Sequence, residues 1–227
     1  MAKDFTSPKV VDSYDDHIRK LIPGYDLVHM QVQAILTSYL NQHARILVVG
    51  CGTGYELQYL AECFPEWTFT AIDPSVTMLE KAKAHLSRSA QFKNIQFILG
   101  DTSILKTLET TFDAALSILV AHFVPVEAKL NFFKDIYDQL NDSGICLSFD
   151  LMKIESRYEL DILQNLAEQT GLNSSQSQNM VDRLMQDFYL IPADEMKKIY
   201  SDAGFARIKS FAQVLNYYGF IGLKKNE

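Results

Sequence analysis

Three glycines, Gly50, Gly52 and Gly54, alternate directly behind the apolar run at 46–49 and just ahead of a helical pattern. Glycine accepts the tight turn from strand to helix and, lacking a Cβ, lets a ligand lie against the backbone. Gly50, Cys51, Gly52 and Gly54 are therefore candidate ligand contacts. Two phosphate-binding patterns are excluded by spacing. A dinucleotide fingerprint needs glycine at position 55, where the chain has Tyr55, and a P-loop needs Lys and then Ser or Thr after Gly54. Asp73 closes a second apolar run, 68–72, and precedes Pro74 and Ser75. A carboxylate at that place accepts hydrogen bonds from both hydroxyls of a ribose, as the second-strand acid does in dinucleotide folds, which implies a nucleoside. Its competing role is to cap the next helix, which Ser75 can do itself. Pro74 and Met78 are assigned to the same ligand-contacting set. Asp101 and Thr102 follow a third run, 95–99, through Gly100, where a carboxylate or a backbone amide meets the amino group of a base. His122, shortly after the fourth run, is the best-placed general base, although a histidine beside Phe123 more often serves structure.

These groups must be delivered by alternating strands and helices. Strands are predicted at 45–50, 68–72, 95–99, 112–119 and 145–149, with helices at 55–64, 75–88 and 126–140 and a turn at 141–144. Such βαβ alternation argues for a parallel sheet covered by helices on both faces. After residue 149 the pattern changes to helices at 155–171, 176–188 and 193–203 and two strands, 206–214 and 217–223, joined by the two-residue link Leu215-Asn216 of a hairpin. Residues 1–44 hold two predicted helices, 14–21 and 27–40, split by Pro23-Gly24. They are either a lid over the ligand or a cover for one sheet edge, and residues 45–227 form the ligand-binding part of the same single domain.

Composition narrows the function. Lys and Arg total 21 against 28 Asp and Glu, for a net charge of -7, and no basic run approaches a nucleic-acid footprint. A patch gathered from Lys81, Lys83, Arg88 and Lys93 is the remaining route to nucleic acid. Three cysteines, Cys51, Cys63 and Cys146, are odd in number and too dispersed for a zinc site, which fits a reducing cytoplasm and no metal. No signal segment or membrane span is expected.

The ordered stretches VVGCGTG, TAIDPS, FILGDTS, FDAALSILVAHF and LNDSGICLSFD resemble the successive motifs of class I S-adenosylmethionine-dependent methyltransferases. The resemblance implies an α/β, Rossmann-like fold, with a seven-stranded, mostly parallel sheet and a reversed C-terminal strand. It further implies S-adenosyl-L-methionine as cofactor, the glycine loop under its methionine part, Asp73 on the ribose and Asp101-Thr102 at the adenine. Over nearly the whole chain, HIRKLIPGYD, KDIYDQLNDSG, AGF and VLNYYGFIGLKK are similar to carboxy-S-adenosylmethionine synthases of tRNA wobble-uridine modification and their methyltransferase-like relatives. That similarity implies Tyr25 as a lid residue and Ser117 as a further cofactor contact.

Two departures bear on function. These families place an acid two residues before the first glycine, and here stands Val48. The synthases use an arginine, against the extra carboxylate of their product, where the alignment puts Gln178, with Arg183 the nearest substitute. The expected function is methyl transfer to a small, partly apolar acceptor held under the N-terminal helices and residues 172–189, with a homodimer left open. Tyr14, Tyr189, Tyr217 and Tyr218 are candidates for the acceptor wall. The alternatives are a carboxy-S-adenosylmethionine synthase-like enzyme and a cofactor-binding module without turnover.

Overall fold

A computed structural model of the protein describes residues 14–87 and 92–225. Arg88 of the dispersed basic set lies outside them, as does the N-terminal start. Two helices, α1 (Tyr14–Leu21) and α2 (Tyr25–Tyr39), precede β1 (Arg45–Val49), α3 (Tyr55–Cys63), β2 (Thr68–Asp73), α4 (Val76–Leu86) and β3 (Ile95–Leu99). A 3-10 turn at Thr102–Thr107 leads to β4 (Phe112–Ile118), and two shorter ones lead to α5 (Lys129–Asp138) and β5 (Leu140–Leu151). Helices α6 (Arg157–Gln169), α7 (Ser174–Gln186) and α8 (Ala193–Asp202) then precede β6 (Ala206–Val214) and β7 (Tyr217–Leu223).

The seven strands form one sheet in the order β3-β2-β1-β4-β5-β7-β6. The first five are parallel, and β7 runs antiparallel between β5 and β6. The predicted fold class and reversed C-terminal strand are thus observed. Burial on both faces explains the uninterrupted apolar strands. Along β1, Ile46 and Val48 enter the core shared with α2, α3 and α7, whereas Leu47 and Val49 enter the core shared with α5 and α8. Successive residues of a strand point to opposite faces, so one short run serves both cores.

The N-terminal helices belong to this body. Ile18, Val32 and Leu36 share the first core with the sheet. Thr170 Oγ1 donates to the Lys20 carbonyl, and Gln31 Nε2 to that of Phe211. Pro23-Gly24 divides the pair as predicted, with Gly24 at φ 75, and α2 begins at Tyr25 rather than residue 27.

Two local readings are corrected. Residues 141–144 are not a free turn but the irregular start of β5: Leu140 already pairs with Phe112, and the register shifts before Ala114 meets Ile145. Asn141 Nδ2 donates to Asp113 Oδ1 at 2.6 Å, so side chains hold the strand where the ladder is irregular. Helix α7 starts two residues earlier than predicted, because Asn173 and Gln176 form a reciprocal capping box.

Candidate active site

A cavity of about 530 Å³ opens beyond the carboxyl ends of β1, β2 and β3 and extends to the segment after β4. That is where strand order reverses between β1 and β4, the usual ligand crevice of an open α/β sheet. Its backbone wall is the glycine loop, with the amides of Gly50 and Cys51 donating to the Ile72 carbonyl. The three glycines do different work. A Cβ on Gly50 would lie 2.5 Å from Val120, whereas one on Gly52 would meet nothing within 4 Å. Gly52, at φ 52, is the open cradle. Gly54, at φ 87, meets Ala82 and Leu86 of α4, and its job is close packing of helix on loop.

Asp73 is buried at the end of β2. Its Oδ2 accepts from the Gly52 amide at 2.9 Å and its Oδ1 from the Ser75 amide at 2.8 Å. Burial pushes its pKa up, and the two amide bonds pull the other way. A carboxylate offers about four lone-pair sites, so the side chain that ties loop to strand can still accept two ligand hydroxyls. Pro74, Ser75 and Met78 continue the same wall, and Ser75, not Asp73, caps α4. Asp101 accepts from the Ser103 amide and hydroxyl, which lowers its pKa, and it lines the cavity beside buried Thr102. An apolar cavity with a bare backbone cradle and a buried carboxylate at the second strand end fits a nucleoside ligand such as S-adenosylmethionine.

Sequence reasoning missed Asp135. This residue of α5 lines the far side of the cavity and binds Lys106 Nζ at 2.8 Å. The 3-10 turn that carries Lys106 gives no periodic signal. Four assigned residues are placed off the cavity wall. Cys51 is buried in the core, and burial beside Asp73 and Glu56 pushes its thiol well above the ordinary range. Gly54 faces α4. Ser117 is buried within β4, with no hydrogen-bond partner for Oγ among the described residues. Tyr25 packs edge-on against His29 at 4.4 Å and beside Tyr55, in a cluster that buttresses the first turn of α3. Val48 points into the core, so an acid there would have had to be buried.

The second cavity, about 450 Å³, adjoins the first: Leu119 and Phe123 line both. Leu119 has a left-handed backbone, φ 59, unusual for a leucine and held by its amide bond to the Phe149 carbonyl. Ile18, Leu21 and Ile22 line this cavity, so α1 and the turn after it cover the second chamber, while α2 lines neither. Tyr217 lies on its wall. Tyr218 instead bonds Gln213, Tyr189 is exposed, and the Tyr14 side chain is outside the described residues.

His122 lines this second chamber with a partner invisible in the sequence. Its Nδ1 lies 2.5 Å from Oδ1 of buried Asp150, at the end of β5, and its backbone amide reaches the other oxygen. A carboxylate accepts only from a protonated Nδ1, which leaves the Nε2 lone pair as the ring's basic site. Phe123 lies tilted against the ring at 4.0 Å, and Phe188 meets it edge-on at 4.7 Å. Buried Lys129 donates to the Ala121 and Val124 carbonyls, stapling the turn that carries His122. Desolvation lowers the Lys129 pKa, and nearby Asp150 opposes that shift.

On α7 the expectation for Gln178 is corrected. It is exposed and bonds Asp182 and Gln164, whereas Arg183 lines the chamber with its Nε on Asp187 Oδ2 at 3.0 Å. A helix turns its faces within one or two residues, so a small shift of register decides which side chain meets the chamber.

Residues 46–144 match the family model described as a methyltransferase domain. The chain is 25% identical over 219 residues to a carboxy-S-adenosyl-L-methionine synthase of Campylobacter curvus, covering 95% of this chain and 92% of that one. It is 32% identical over 139 residues to a malonyl-[acyl-carrier protein] O-methyltransferase of Priestia megaterium, covering 61% of this chain and 46% of that one. The fold matches the magnesium protoporphyrin IX methyltransferase of Synechocystis PCC 6803 with bound SAH, at TM-score 0.65 and 17% identity over 91% of this chain and 86% of that one.

Proposed function

We propose that this chain, whose residues 46–144 match a methyltransferase domain, transfers a methyl group from S-adenosylmethionine to a small-molecule acceptor. In this reading the first chamber holds the cofactor and the second the acceptor. The observation that carries it is the junction at Leu119 and Phe123, with the His122–Asp150 pair on the acceptor side of it. When bound, the cofactor would supply an electrophilic sulfonium methyl carbon for the acceptor's electron pair, with a neutral thioether as the leaving group.

The chain's own task is positioning, water exclusion and removal of one proton. Asp73 and the Gly52 cradle hold the nucleoside side. His122 Nε2 takes the proton from the acceptor's hydroxyl or amine, and Asp150 stabilises the resulting imidazolium while holding the ring's orientation. Phe123 and Phe188 keep water from the ring, which strengthens that charge pairing.

Calorimetry with S-adenosylhomocysteine, followed by donor consumption across an acceptor library, tests the reading. Binding and acceptor-dependent turnover, with turnover lost in His122→Ala, are expected. Binding without turnover on any acceptor would leave a cofactor-binding module. A second reading, a carboxy-S-adenosylmethionine synthase-like enzyme, is favoured by the relative of that name aligned over 95% of the chain. Competition between the ordinary and carboxylated cofactors separates the two.

A further inference from the structure

We propose that the second chamber selects an acceptor combining an aromatic body with one anionic group, the anion seated on Arg183 and the reacting hydroxyl or amine at His122. This rests on the two-chamber reading above and names the acceptor class that it leaves open. The volume, about 450 Å³, suits a small molecule. The chamber is largely apolar, and Phe123 and Phe188 stand 5.4 Å apart at 75°, with His122 edge-on to Phe188. Three ring surfaces at such angles offer both a face and an edge to an incoming ring, the arrangements that aromatic pairs prefer.

Arg183 supplies the second half of the argument. Among the described residues it is the only lysine or arginine on the wall of either chamber. Its Nε is engaged by Asp187, which fixes the plane of the guanidinium, and the Nη donors have no bond among the described residues. A planar guanidinium held at one edge, with its outer fork open, matches a carboxylate in two parallel bonds. Asp182, also on the wall, accepts from Gln178 and is exposed at the rim. A net charge of -7 repels anions in general, so an anionic acceptor needs one local cation, and Arg183 is that cation.

The probes are para-hydroxybenzoate and para-hydroxyphenylacetate, each compared with its methyl ester. Binding is measured by calorimetry on the protein saturated with S-adenosylhomocysteine, in wild type, Arg183→Lys and Arg183→Gln. At least one acid should bind about tenfold or more tightly than its ester. That preference should vanish in Arg183→Gln and survive in part in Arg183→Lys, with affinity for S-adenosylhomocysteine unchanged in both. Equal binding of acid and ester, no binding of any probe, or a preference that persists in Arg183→Gln would overturn the proposal. So would a parallel loss of S-adenosylhomocysteine affinity in Arg183→Gln, which would assign the arginine to the cofactor. Failure of the wild type to bind S-adenosylhomocysteine at all would instead defeat the two-chamber reading itself.

Discussion

The two chambers share the side chains of Leu119 and Phe123 and are otherwise built from different material. The first gathers the ends of β1, β2 and β3, where Gly50, Gly52 and Gly100 expose backbone and Asp73 locks the loop to β2, and is closed by side chains of the segment after β4 and of α5. The second is walled by side chains from α1, the turn after β4, β5, α7 and β7. Backbone exposed at strand ends is set by the sheet itself and leaves little to vary. Side-chain walls are set residue by residue, so on the reading proposed above it is the second chamber that decides which acceptor is taken.

The sharpest break between the chambers should come at the buried pair. Asp150→Asn removes the carboxylate that orients His122, and the expected loss of acceptor-dependent turnover is about 10²- to 10⁴-fold, the range for general acid–base catalysis. Affinity for S-adenosylhomocysteine should not change, and steady-state kinetics beside calorimetry reads both. A matching fall in cofactor affinity would mean that the chambers are not separable.

Asp73→Ala is the converse experiment. It should weaken S-adenosylhomocysteine binding by about 2–4 kcal/mol, the value of two charge-assisted hydrogen bonds. Calorimetry showing the wild-type affinity would remove the ribose from Asp73.

Acid should loosen the cofactor side through His29, which lies behind the glycine-loop helix among Tyr25, Tyr55 and Tyr59. Burial holds its pKa down at about 4, against 6.5 for the free residue. The imidazole is therefore neutral at pH 7, and its 3.7 Å approach to Glu56 is no ion pair there. Between those values the unfolded chain binds a proton that the folded chain does not. The stabilisation is present above pH 6.5 and is lost as pH falls towards 4, at up to about 1.4 kcal/mol per pH unit and on the order of 3 kcal/mol in all. Denaturant melts across that range should show the slope, and His29→Leu should flatten it.

The smallest effect separates two glycines of the same loop. Gly54→Val presses on Ala82 and Leu86 and should cost about 1–3 kcal/mol of stability. Gly52→Val, which projects into open space from a left-handed backbone, should lose less stability and abolish binding of S-adenosylhomocysteine. Thermal melts with and without that ligand distinguish the two, and the reverse pattern would exchange their roles.

The first chamber was largely legible because its groups sit at fixed offsets from strand ends. Gly52, Asp73, Asp101 and Thr102 line it from the strand ends where their positions put them, and Pro74 and Met78 line it beside them. Asp135 was not legible, since it faces the cavity from a helix two elements away and looks in sequence like any acid on an amphipathic surface. His122 was visible only as a lone histidine. Its partner Asp150 lies 28 residues on, at the end of another strand, and only the register of β4 with β5 brings them together. Gln178 illustrates the limit of alignment on a helix, and the start of β5 that of turn propensity, because Asn141 and Gly144 read as a turn until strand pairing overrides them.

Helix α7 separates what must be kept from what is free to change. Its capping box at Asn173 and Gln176 fixes where it begins, and Met180, Val181 and Leu184 anchor it in the core. Asn179 and Asp182, exposed on the same helix, reach the mouth of the second chamber without holding anything in place beneath it. Mutational drift at those two positions alters the entrance while the fold and the histidine dyad stay intact. Descendants of this chain can therefore diverge in what they admit long before they diverge in what they do to it, and a laboratory library confined to positions 179 and 182 samples that same route.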